Sequence, residues 1–241
     1  MGKGYKGGPC IYCLEREAAD GDHVISRQFF PKDKRDNLPK VPACKECNNA
    51  KSQLEHRLTA VLPFGGTHAD ASKTLAMVGP RLAKNRPMHV QLSEGMAYLW
   101  RSINGGPWKP EMTIPIEGED VEALCEFIVK GLAFHHWKLT FGPAHLVGAT
   151  FLTEAGRQLF EPLFAAPALS AVKDDFGDGA FTYEGVQAKE CPEFTLWKLS
   201  IYGVEVSGDE RAPMERSSMI YGFTTPKSRP VADALQAILS R

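Results

Sequence analysis

Long apolar runs are missing from this sequence. No stretch of about 18 uncharged apolar residues occurs, which argues against a helical membrane span. The first residues, Met1 to Pro9, carry Gly and Lys but no apolar segment of the kind a secretory signal needs, so a cytoplasmic chain is expected. A strong charge of either sign is lacking too: the formal net charge is -1, so there is no global basic footprint for nucleic acid. That balance is uneven, because residues 1–60 hold 11 Lys/Arg against 8 Asp/Glu, a formal +3. Internal repeats are absent. Gly65-Gly66 and Gly105-Gly106 are not followed by Lys-Ser/Thr at a helix start, which excludes a phosphate-binding loop of that kind.

Cysteine is scarce, and its placement is informative. Four of the six cysteines form two Cys-x-x-Cys pairs, Cys10/Cys13 and Cys44/Cys47, with 30 residues between them. In an intracellular chain this spacing favours metal over disulfides. Two such pairs present four thiolates to one tetrahedral Zn²⁺, a closed site that supports the fold and leaves no position for catalysis. Cys125 and Cys191 stand in apolar contexts and are expected to be buried small hydrophobes.

The chain divides by pattern into an N-terminal unit, residues 1–61, and a remainder, residues 67–241, separated by the Leu62-Pro63-Phe64-Gly65-Gly66 break. In the first, His23-Val24-Ile25 reads as a short strand, Phe29 to Lys40 as a loop, Val41 as part of a second strand, and Lys45 to Leu58 as a helix. In the second, Ala71 to Lys84 has helical character but contains Gly79-Pro80, so the helix is expected to be interrupted or shorter. Val121, Leu124, Cys125, Ile128 and Leu132 predict a helix over Glu119 to Trp137. The runs His145 to Phe151, Phe194 to Val206 and Ser218 to Thr224 predict strands, and Val231 to Leu239 a closing helix. The fold class is α+β with an antiparallel sheet.

Chemistry concentrates between the cysteine pairs. Gly21-Asp22-His23 places a carboxylate and an imidazole at a strand edge, and Asn48 and Asn49 follow Cys47 at the helix start. An aspartate and an amide oxygen form a hard donor pair suited to Mg²⁺ or Mn²⁺. A histidine is the residue whose ordinary pKa lets it take a proton from water near neutral pH. The bland readings are a turn for Asp22 and a helix cap for Asn48. Lys45, Lys51 and Arg27 are candidate phosphate contacts, or simply a solvated face. Phe29 and Phe30 read as loop anchors, and His135-His136 as helix-end residues, since neighbours on a helix diverge too far to share a metal.

Cys10/Cys13, Asp22-His23 and Cys44-x-x-Cys47-Asn48 together resemble the HNH, or ββα-metal, endonucleases over roughly residues 9–58, and most closely the zinc-stapled branch of the phage recombination endonuclease VII type. The resemblance implies an N-terminal ββα-metal core that hydrolyses DNA to 5′-phosphate and 3′-hydroxyl ends. Asp22 and Asn48 would bind the catalytic metal, His23 would be the general base, and Asn37 would match the middle Asn that orients the histidine. Residues 67–241 would then select substrate, form a homo-oligomer or bind a partner protein. Two rivals are a catalytically silent zinc module that binds nucleic acid or protein, and an RNA endonuclease.

Overall fold

The computed structural model describes residues 4–83, 86–102, 106–114, 116–166, 169–204, 206–207 and 216–230. The helix expected over Val231 to Leu239 lies outside the described residues. The chain opens with a knuckle around Cys10 and Cys13, then an antiparallel hairpin of β1 (Asp20–His23) and β2 (Lys40–Ala43), with Asp22 opposite Val41 and His23 opposite Lys40. The first strand therefore ends where the sequence pattern placed its beginning. Val24 and Ile25 continue from it as fully buried residues. The connecting loop contains two single 3-10 turns, and Phe29 and Phe30 anchor it in the core.

Helix α1 (Lys45–Val61) starts at Cys44, whose Sγ accepts the backbone N–H of Cys47 at 3.4 Å. Helix α2 (Ala69–Leu82) follows a 3-10 turn at Leu62–Gly65. Of the two outcomes expected from Gly79-Pro80 the helix takes the shorter form, ending at Leu82 without a break: Pro80 lies in the last turn, where the loss of one donor costs a single bond, and Ala83 still donates to Gly79 at 3.0 Å. Helix α3 (Arg86–Gly95) leads into a separate two-stranded hairpin, β3 (Ala97–Arg101) with β4 (Lys109–Thr113).

Helix α4 (Gly118–Trp137) is the pivot. It buries Val121, Leu124, Cys125, Ile128, Val129 and Leu132, more of its circumference than an ordinary amphipathic helix, because it packs against α1 and β2 on one side and the sheet on the other. Both approaches need glycine. A Cβ at Gly131 would come within 2.7 Å of Val24, and one at Gly222 within 2.4 Å of Val129.

The sheet has five antiparallel strands in the order β5-β11-β8-β7-β6. These are β5 (His145–Thr150), β6 (Leu169–Phe176), β7 (Phe181–Ala188), β8 (Thr195–Ile201) and β11 (Ile220–Pro226). A small ladder of β9 (Val206–Ser207) with β10 (Arg216–Ser217) sits in the β8–β11 connection. The other face of the sheet packs Leu196, Tyr221 and Phe223 against Phe160 of α5 (Glu154–Phe160) and Phe164 just beyond it. Strand β8 is thus covered on both sides. The residue pattern over β6 and β7 had predicted no strands: β6 is a largely exposed edge strand, and Lys173, Asp174 and Asp175 mask its alternation. Among the described residues one hydrophobic cluster runs without a break from Cys10 and Ile11 through α4 to Trp197 and Ile220, so the Leu62–Gly66 segment is not a gap in the packing. Trp197, Tyr202 and Tyr221 are buried; Cys125 is buried as expected, whereas Cys191 is only half-buried.

Candidate functional site

The four cysteines come together as the spacing implies. One Sγ from each of Cys10, Cys13, Cys44 and Cys47 lies within 4.8 Å of every other. Four thiolates around Zn²⁺ with bonds of about 2.3 Å stand roughly 3.8 Å apart, so the cluster is of a size to hold such an ion. Local backbone builds each half. Leu14 takes a left-handed conformation (φ 58°), its N–H donates to the Cys10 carbonyl at 2.8 Å, and the turn closes with Cys10 N–H to Arg16 at 2.8 Å. Burial pushes the Cys10 thiol up; at Cys13 backbone N–H groups of Glu15 and Arg16 outweigh burial and bring the thiol down to about 7. Thiolates held by N–H donors are the form that ligates metal.

Beside this cluster the hairpin and α1 enclose a buried polar network. The Lys51 side chain is fully buried, and its ammonium donates to the backbone carbonyl of His23 at 2.7 Å and to Glu55, and pairs with Asp22 Oδ2 at 3.1 Å. Tyr12, between the first two cysteines, donates its hydroxyl to the same Asp22 oxygen at 2.8 Å. Burial and the Asp22 carboxylate push the Tyr12 phenol well up, so it remains a donor. Burial also pushes Glu55 up, against the pull of Lys51. Asp22 Oδ1 has no protein hydrogen bond among the described residues.

His23 closes β1 with its ring half-buried. Desolvation, joined by the charges of Lys40 and Arg27, pushes its pKa down to about 4, which leaves a neutral imidazole able to accept a proton. Asn48 is half-buried in the first turn of α1, three residues before Lys51 and seven before Glu55, on the helix face that turns toward β1. Its side-chain amide has no partner among the described residues.

Other candidates are placed differently. Lys51 was expected at the surface as a phosphate contact; buried and saturated by its three oxygen partners, it has no proton left to offer a phosphate. Lys45 and Arg27 are exposed. Asn37 is exposed in the loop before β2, with a left-handed φ of 60° that Asn tolerates. His136 accepts or donates at 2.9 Å with the Tyr183 hydroxyl at the end of α4, a helix-end role as expected. Sequence reasoning overlooked Tyr12 and Glu55. The signal for Glu55 was its i,i+4 spacing from Lys51; the signal for Tyr12 was its seat inside the first Cys-x-x-Cys pair.

Comparison with protein-family models, with curated proteins and with solved structures gives no match for this chain.

Proposed function

We propose that this chain is a metal-dependent DNA endonuclease of the HNH type, with His23 as general base and a structural zinc on Cys10, Cys13, Cys44 and Cys47. The reading is supported by the Lys51 side chain of α1, which bonds both Asp22 and the His23 carbonyl and so ties the β1–β2 hairpin to the helix that carries Asn48, next to the four-cysteine cluster.

Asp22 Oδ1 and the Asn48 amide oxygen would hold the catalytic ion, a pair of hard oxygen donors of the kind Mg²⁺ or Mn²⁺ takes. Such an ion would supply charge stabilisation for the leaving 3′-oxygen. The residues of the chain do the rest. The His23 ring takes a proton from the attacking water, the new P–O bond forms in line as the P–O3′ bond breaks, the departing 3′-oxygen takes a proton from solvent water, and the products carry 5′-phosphate and 3′-hydroxyl ends. Lys51 fixes both partners, holding Asp22 through Oδ2 and the β1 backbone through the His23 carbonyl, while exposed Arg27 and Lys45 are free to meet phosphates.

A second reading, a catalytically silent zinc module that binds nucleic acid or protein, is favoured by one feature: the Lys51 ammonium already neutralises Asp22. Supercoiled plasmid with Mg²⁺ or Mn²⁺ separates the two. The wild type relaxes the plasmid, and His23→Ala, with the same zinc content, loses roughly 10²- to 10⁴-fold in rate, the usual contribution of a general base. Equal cutting by both removes His23 from the chemistry. If neither cuts plasmid or branched DNA, cleavage of RNA would favour an RNA endonuclease, and its absence the silent module.

A further inference from the structure

Hairpin β3–β4 carries three aromatic side chains that the core does not use. Tyr98 is 71 % exposed, Trp100 67 % and Trp108 68 %. Tyr98 and Trp100 share a face by strand alternation, and Pro110 lies opposite Trp100. Extending that alternation by one pair puts Trp108 on the same face. Rings of this size left in water on a two-stranded sheet add nothing to its stability, and clustered exposure of this kind marks a binding surface.

We propose that this face stacks unpaired bases of single-stranded or branched DNA. The choice of DNA rests on the endonuclease reading above; the stacking geometry does not. Residues two apart on a strand are roughly 6.8 Å apart, twice the rise of about 3.4 Å per stacked nucleotide, so one base fits between Tyr98 and Trp100. Base–aromatic stacking is tolerant of sequence, because every base has a π-face. Charge selects nucleic acid over a second copy of the chain. Residues 81–113 hold five Lys/Arg against two Asp/Glu, a formal +3 within a chain of net -1. Lys109 is exposed directly after Trp108, one step out of alternation and so on the hairpin's other face, and Arg86 is exposed on the helix that leads into the hairpin; the positive charge belongs to the segment as a whole and acts on a phosphate backbone over about a Debye length. Pro110 removes a backbone donor from β4, which works against pairing with a further strand.

The test is fluorescence anisotropy without divalent metal, so that nothing is cut, using a labelled oligo-dT strand and the matching oligo-dT·oligo-dA duplex. The wild type favours the single strand, and Trp100→Ala and Trp108→Ala each weaken single-strand binding roughly 5- to 100-fold with the melting temperature unchanged, as expected for loss of one stacked base. Tryptophan quenching by oligo-dT disappears with the same substitutions. If both variants bind oligo-dT as the wild type does, the inference is overturned even where plasmid cutting persists. It is equally overturned if oligo-dT does not bind and sedimentation shows a dimer that Trp100→Ala disperses, since the face then meets a second copy. Retained stacking in a protein that fails to cut would instead sink only the nuclease reading.

Discussion

The two halves of this molecule are built from opposite materials. The five-stranded sheet is held by apolar contact: Trp197, Leu199 and Ile201 face α4, and Leu196, Tyr221 and Phe223 face α5. The N-terminal unit has strands of four residues each, and its interior holds Lys51, Asp22, Glu55 and Tyr12 beside four cysteines. A sheet covered on both faces supplies its own stability through burial. A short hairpin that dedicates its interior to charged groups does not, and needs a staple. Apolar packing and the buried polar network are therefore separated in space, with α4 joining the two.

The most damaging way to break this comparison is to remove the staple. Cys47→Ser should lose about one zinc per chain, and because structural zinc sites contribute on the order of 10–16 kcal/mol of apparent binding at neutral pH, this should be the largest loss of stability of any single change considered. Since one core runs across α4, a chelator should lower the melting temperature in a single transition rather than peel off one half. Calorimetry with metal analysis checks this; two separated transitions would show that the halves fold independently.

Next in size is the buried ammonium. Lys51→Ala strands the Asp22 and Glu55 carboxylates in the interior and should cost about 3–5 kcal/mol by denaturant titration. The double change Lys51→Met with Glu55→Leu removes both members of one buried pair and should recover part of that loss. No recovery would mean that the ammonium's bonds to Asp22 and the His23 carbonyl dominate.

The smallest effect is expected at the clamp between the halves. Lys34, in the β1–β2 loop, pairs with Asp70 of α2 at 2.5 Å and with Asp178 at the β6–β7 turn at 2.9 Å. Lys34→Ala should lower the melting temperature least of the three changes, because solvent screens an ion pair whose ammonium is open to water. Burial pushes the Asp70 carboxyl up, but Lys34 and Lys73 more than offset this and hold it below its ordinary value of 3.8. A carboxyl whose folded pKa is depressed contributes stability that is complete above its unfolded pKa and is lost as pH falls through the folded one. Wild type should thus lose this contribution only below about pH 4, and Asp70→Asn should flatten that part of the profile. An unchanged profile would remove Asp70 from the acid response.

Much of the fold was legible in the residues. The spacing of Val121, Leu124, Ile128 and Leu132 marks α4 almost to the residue, and β5, β8 and β11 follow from runs of β-formers. Strand β6 was hidden because an edge strand has only one neighbour to pack against and carries polar residues, whereas β7 lies between β6 and β8 and its alternation of buried Phe181, Tyr183 and Gly185 was readable but passed over. The cysteine cluster was fully legible, since its spacing is itself the signal. The role of Lys51 was not: a lysine on a short helix usually faces water, and only the arrival of Asp22 and the His23 carbonyl from β1 turns this one inward.

By itself the sequence determined the four-cysteine set that could hold a metal, the long helix and the α+β class, because each is written in local spacing or in periodicity that the backbone must obey. The tertiary structure decided which charges are buried, that one continuous core joins the two halves, and that three aromatic rings of the β3–β4 hairpin remain in water. Those outcomes depend on which surfaces meet, and residues far apart in the chain settle that only when the packing closes.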